Sequence, residues 1–303
     1  MPSCQQTERK QDAHADAVWC LEWLSNSLLL TGSVDGTLKC WTVDPNGRIG
    51  NATWTSEPGE FQMGVVSIVK LEEGKTFAAT SMDGCIRIFA LNLPKPIRRI
   101  EAGPVDCWTL CASGDGAEIA SGTSTGAVNL WDVATGKLRN TFETHGQFVL
   151  SVAWHENTIA AGSRDGSVFL INTITNDVFA TSARMHQLPI RALKFSPTGD
   201  RLFSASDDGL VSLVTVPGGE KVGLLKGHLA GVLGVSVASQ LDDLVATASA
   251  DRKVRVWNSD TKECTGTFEA HTGQAFCIGF SPNQKLLVSG GAAGELQVYA
   301  VSN

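Results

Sequence analysis

Apolar positions in this chain fall into short blocks separated by polar turns, and the blocks recur in a fixed order. In the first unit Val18-Trp19-Cys20-Leu21-Glu22-Trp23 is followed by Leu28-Leu29-Leu30-Thr31 and then by Thr37-Leu38-Lys39-Cys40-Trp41. Blocks of this length, bounded by Gly, Asp and Ser, predict β-strands. The middle blocks are almost continuously apolar, which predicts strands covered on both faces. A fourth block is more polar, as in Lys137-Leu138-Arg139-Asn140-Thr141-Phe142, and suits an outer strand. Asp35-Gly36, Asp83-Gly84, Asp165-Gly166 and Asp208-Gly209 supply the hairpin turns between blocks. No long helical period interrupts the pattern, so the chain reads as all-β.

Aligned on the turn glycine, the units place Gly36, Gly84, Gly126, Gly166, Gly209, Arg252 and Gly294 in one slot, at intervals of 40 to 48 residues. Strand ends follow at Trp41, Phe89, Trp131, Ile171, Val214, Trp257 and Tyr299, and a position upstream holds His14, Phe61, Glu101, His145, His186, His228 and His271. Seven units of this length predict seven four-stranded blades of a β-propeller, formed as one domain over residues 1–303. The seventh unit reaches Tyr299 without a fourth strand, whereas Gln5–Gln11 is polar and of strand length. Residues 1–12 are therefore expected to complete the last blade and close the ring.

Two units carry a complete polar set: His14, Thr31, Asp35 and Trp41, and His228, Thr247, Asp251 and Trp257. Histidine, a hydroxyl and a carboxylate together invite a hydrolase reading. Recurrence argues against it, because a catalytic centre occurs once. The set is expected to be structural: Asp holds His, His bonds the hydroxyl, and the hydroxyl takes the indole N–H, so every buried polar group has a partner.

A net charge of -7 disfavours nucleic-acid or anionic-membrane binding. The first residues contain no apolar core of a signal peptide, and no apolar run has membrane-spanning length. Eight scattered cysteines are expected to be reduced and mostly buried. Cys107 and Cys111 have strand-like spacing without nearby His, and Gly290–Gly294 opens no helix, so neither predicts a metal or phosphate site. No isolated carboxylate pair stands outside the repeat as an acid–base candidate. The chain is expected to be neither an enzyme nor a cofactor binder.

Candidate function lies instead on the ring five residues after each His slot: Trp19, Val66, Asp106, Leu150, Arg191, Leu233 and Phe276. These positions begin the innermost strands and face the channel mouth. Five of the seven are apolar, and the first and last blades bring Trp19 and Phe276 together as a candidate anchor pocket. The third unit departs most from the repeat, with Glu101 and Thr125 in the His and Asp slots. Its Trp108 joins the candidate partner-binding set.

The chain resembles WD-repeat β-propellers and, within that family, is similar to the WD-repeat subunits of superkiller complexes. Ala13–Trp19, Ala102–Leu110, His145–Ser151 and Pro189–Leu193 carry the resemblance, the irregular third unit most specifically. Phe61, where His is usual, departs from the pattern. The resemblance implies a non-catalytic scaffold, monomeric within hetero-complexes. It would join a tetratricopeptide-repeat subunit to an RNA helicase and assist exosome-mediated 3′-to-5′ mRNA decay in the cytoplasm. It further implies membership of the polymerase-associated factor complex in transcription elongation in the nucleus. Partner motifs would carry an Arg, met by Asp106, and an apolar residue, met by Trp19 and Phe276. A substrate receptor of a ubiquitin ligase is the alternative, but such receptors present several basic residues, and here only Arg191 and Arg164 qualify.

Overall fold

The computed structural model describes residues 3–103, 107–182, 184–239, 243–269 and 271–302. They form seven four-stranded antiparallel sheets and no helix. The first blade comprises Val18–Ser25, Leu28–Ser33, Leu38–Val43 and Ile49–Thr55, ordered from the channel outward. Blades two to six repeat this order. In the seventh, Ala275–Phe280, Leu286–Gly291 and Leu296–Ser302 are joined on the outside by Ser3–Lys10. The ring therefore closes through the N-terminal strand, which pairs from Ser3 opposite Ser302 to Lys10 opposite Leu296.

Each sheet needs cover on both faces, and the ring provides it. Seven buried apolar clusters occupy the seven blade interfaces. At the closure, Val18, Trp23 and Leu29 of the first blade meet Leu286, Val288 and Val298 of the seventh. This double cover is why the middle strands are apolar without alternation. Small polar side chains on the innermost strands also stitch neighbouring blades. The Cys20 thiol donates to the Val65 carbonyl at 3.7 Å, Ser151 to the Ile190 carbonyl at 3.2 Å, and Cys277 to the Val18 carbonyl at 3.6 Å. No disulfide joins any of the eight cysteines. Burial pushes the Cys277 thiol up to about 12, so it stays protonated and keeps its donor.

Turns must approach the next blade closely. Gly294 has φ of 74°, and a Cβ there would meet the His14 carbonyl oxygen at 2.2 Å, across the closure. Arg252 keeps the same left-handed conformation without a glycine, at φ of 72°.

The first polar set forms one chain of hydrogen bonds. The Trp41 indole N–H donates to Thr31 Oγ1 at 2.8 Å, and the Thr31 hydroxyl donates to His14 Nε2 at 2.7 Å. His14 Nδ1–H faces Asp35 Oδ2 at 3.2 Å, which also accepts from the Ala15 amide. The sixth blade repeats it through Trp257, Thr247, His228 and Asp251, at 2.9, 2.7 and 2.9 Å in turn. His186 bonds Asp208 and Ser204 likewise, with Val214 in the Trp place. Asp251→Ala would leave the His228 Nδ1–H and the Leu229 and Lys253 amides without their acceptor. It is expected to cost about 1–3 kcal/mol, read as a melting temperature lower by several degrees.

Other blades solve the same problem with residues outside the repeat pattern. The His271 Nδ1–H donates to Glu295 Oε1 at 2.7 Å, because the aspartate slot holds Ala293 and a carboxylate two residues on reaches back. In the second blade, Phe61 lies beneath the Arg87 guanidinium at 4.8 Å, and Arg87 bonds both Asp83 and Glu60. His145 departs from its expected slot role: it is exposed, and buried Thr144 bonds the Gly126 carbonyl in its place.

These networks make stability pH-dependent in one direction. Burial holds His14, His186 and His228 below the ordinary imidazole value, against the pull of their carboxylates. Burial alone would raise Asp35, Asp251 and Glu295, but hydrogen bonds from His side chains and backbone amides outweigh it and hold all three low. Groups depressed in the folded state stabilise it above their unfolded values, and that stability is lost as pH falls. The melting temperature is expected to hold above about pH 6.5, then drop as the histidines charge, and drop further below about pH 4. A melting temperature unchanged between about pH 7 and about pH 4 would contradict this.

Candidate partner-binding mouth

In six of the seven innermost strands one residue is pushed out of the ladder. The register skips a residue between Val18 and Cys20, between Val65 and Ser67, between Val149 and Ser151, between Ile190 and Ala192, between Val232 and Gly234, and between Ala275 and Cys277. A bulge re-aims the extra side chain, here toward the upper mouth of the channel. Trp19, Val66, Leu150, Arg191, Leu233 and Phe276 are those residues, and all but Leu150 line one cavity of about 470 Å³.

The third blade corrects the spacing rule. Thr109 pairs with Gly122 as Cys20 pairs with Gly32, so Trp108 takes the ring position. It lies seven residues after Glu101, not five, and it lines the cavity. Asp106 lies outside the described residues. Leu150, expected on the exposed ring, is buried by its neighbours, and it lines the channel together with Trp19, Trp108, Arg191 and Phe276.

Trp19, Trp108 and Phe276 are half-buried, each with part of a ring face open to the cavity. Trp19 and Phe276 meet edge to face, with ring centroids 6.5 Å apart and planes at 69°. Trp108 is braced by Phe148 in the same way at 5.9 Å. Such contacts fix the rings before any partner arrives. Opposite them Arg191 sets its fork on Asp207, Nε at 2.9 Å and Nη2 at 2.7 Å from Oδ2. Asp207 and Gln274 are rim residues that the repeat spacing did not single out. The doubled acid of Asp207-Asp208-Gly209 was the available signal, since Asp208 alone serves His186.

An apolar floor with three aromatic rings and a neutralised ion pair on its rim suits an aliphatic or aromatic side chain of a protein partner. No group of three or more His, Cys, Asp or Glu side chains among the described residues is arranged to hold a metal ion.

Fold and mouth together define a seven-bladed β-propeller with a largely apolar depression at one end of its channel. The family model for the WD domain, G-beta repeat, matches residues 4–42, 136–172, 180–214, 219–258 and 262–299. The chain belongs to this WD-repeat family, whose propellers are generally protein-interaction scaffolds. WD repeat-containing protein SL1-17 of Schistosoma mansoni is 30% identical over 304 residues, covering 96% of this chain and 97% of that protein. WD repeat-containing protein VIP3 of Arabidopsis thaliana is 32% identical over 216 residues, 64% of this chain and 65% of that one. The crystal structure of the WD40 β-propeller domain of Doa1 superposes with a TM-score of 0.83, covering 98% of this chain and 97% of that one. At 18% identity, that likeness is one of fold alone.

Proposed function

We propose that this protein is a non-catalytic scaffold that captures an apolar side chain of a protein partner in the mouth formed by Trp19, Trp108, Leu233 and Phe276. The observation carrying the reading is the pre-set aromatic pair, half open at the centre of a depression large enough for a side chain. Anchors of this kind dominate binding energy when the surrounding contacts exclude water.

The finer reading is membership of the superkiller complex, holding its tetratricopeptide-repeat subunit and RNA helicase for exosome-mediated mRNA decay in the cytoplasm. Membership of the polymerase-associated factor complex in the nucleus is part of the same reading. Its support is the resemblance of Ala13–Trp19, Ala102–Leu110, His145–Ser151 and Pro189–Leu193 to such subunits. A receptor for phosphorylated degrons fits the mouth less well, because Arg191, its one cation, is already satisfied by Asp207.

The test is affinity purification of the tagged protein, and of Trp19→Ala beside it, with identification of co-purifying chains. Recovery of a tetratricopeptide-repeat subunit and a helicase with the wild type alone is expected. Recovery of ubiquitin-ligase adaptors instead would overturn the complex assignment, and equal recovery by both proteins would move the interface off this mouth.

A further inference from the structure

Below the mouth, the channel continues between the innermost strands to the opposite face, and its charge changes there. Cys20 pairs with Gly32 and Ala192 with Ala205, so Glu22 and Lys194, each two residues on, share one level of the ring. Lys70, three residues after Ser67, sits one step nearer the lower face. The remaining positions on the Glu22 level are Val69, Cys111, Ala153, Ser236 and Gly279, none of them charged at neutral pH. Glu22, Lys70 and Lys194 line one cavity of about 360 Å³. Their backbones pair in the blade ladders, but none of the three side chains has a hydrogen bond or close ion pair among the described residues.

The cavity is rich in donors and poor in acceptors. Ser236 Oγ accepts from the Phe280 amide and Ser239 Oγ from the Gln284 side-chain amide, which leaves each hydroxyl proton for a ligand. Among the described lining residues, two ammonium groups and two hydroxyls thus face a single carboxylate. Burial holds the Glu22 carboxyl above its ordinary value, and Lys194 and Lys70 draw it only partly back. Walls of low polarisability strengthen the field of the lysines inside the channel, in a protein whose net charge is -7.

We propose that the lower channel is a binding site for a compact oxyanion of the phosphate class, held by Lys194 and Lys70 with the Ser236 and Ser239 hydroxyls. The site lies below the aromatic mouth in the same channel, and the proposal does not depend on the scaffold reading.

Isothermal titration of the whole protein with inorganic pyrophosphate tests it. Saturable binding is expected, weakened about tenfold or more by Lys194→Ala or Lys70→Ala and largely kept by Lys194→Arg. Glu22→Gln removes the repelling charge of the described lining and is expected to tighten binding about fivefold. A parallel titration with a nucleoside diphosphate distinguishes a free anion from a phosphate borne on a larger molecule, and lysine-dependent binding of either supports the site. Trp19→Ala serves as the control and should leave pyrophosphate affinity unchanged. No saturable binding of either probe by the wild type at about millimolar concentration, or equal affinity in the Lys70→Ala/Lys194→Ala double variant, would overturn the proposal. Circular dichroism of each variant separates loss of the site from loss of the fold.

Discussion

Deleting residues 1–10 should lower stability by about 5 kcal/mol or more, lower the melting temperature by roughly 10–20 °C, and cause association. The deleted strand supplies the whole outer edge of the seventh blade. Its Gln6 side-chain amide donates to Gln297 Oε1 at 2.7 Å, and Cys4 packs against the cluster that contains Tyr299. Lys10 reaches out of the blade, bonding the Gly50 carbonyl of the first blade and lying 5.5 Å from the Trp41 ring centre. Loss of the strand would expose the hydrogen-bonding edge of Leu296–Ser302, an invitation to pair with another chain. Thermal melts and size-exclusion chromatography check both parts. A truncated protein that stays monomeric and melts with the wild type would show that the ring is held shut by the blade interfaces alone.

Trp19→Ala should weaken capture of the partner by about 2 kcal/mol or more, roughly thirtyfold in Kd. The melting temperature should stay within a few degrees, because Trp19 is half-buried at the mouth and outside the seven interface clusters. Phe276→Ala should act similarly, and the double variant should lose less than the sum, since the two rings brace each other. Titration of the purified partner against the four proteins measures this directly. Full affinity in both single variants would place the interface elsewhere on the propeller.

Repeat spacing made the fold legible. Thr31, Asp35 and Trp41 stand at the same separations as Thr247, Asp251 and Trp257, and only a recurring supersecondary unit imposes such a register. The hydrogen-bonded sets were legible for the same reason: each member lies at a turn or strand end whose distance from the others the blade dictates. Glu295 and the Arg87 arrangement escaped because a longer side chain reaches the same point in space from a different sequence position. Trp108 took the ring position against the spacing rule because extra residues before the third blade shift the count while strand pairing keeps the register. Leu150 shares the ring's sequence position, but the packing around it buries it.

Local order along the chain thus determined the strands, their number, the ring closure by the polar N-terminal segment, and the pairing of His14 and His228 with their turn aspartates. These depend on contacts within one unit or on its repetition, where spacing in sequence maps onto spacing in space. The mouth and the channel were decided only by the tertiary structure. Trp19 meets Phe276, Arg191 meets Asp207, and Glu22 shares a level with Lys194 because closing the ring brings together blades that are remote in sequence. Which side chains face one another across that channel depends on bulge positions and on the length of each connection, and neither is written in the periodicity of a single blade.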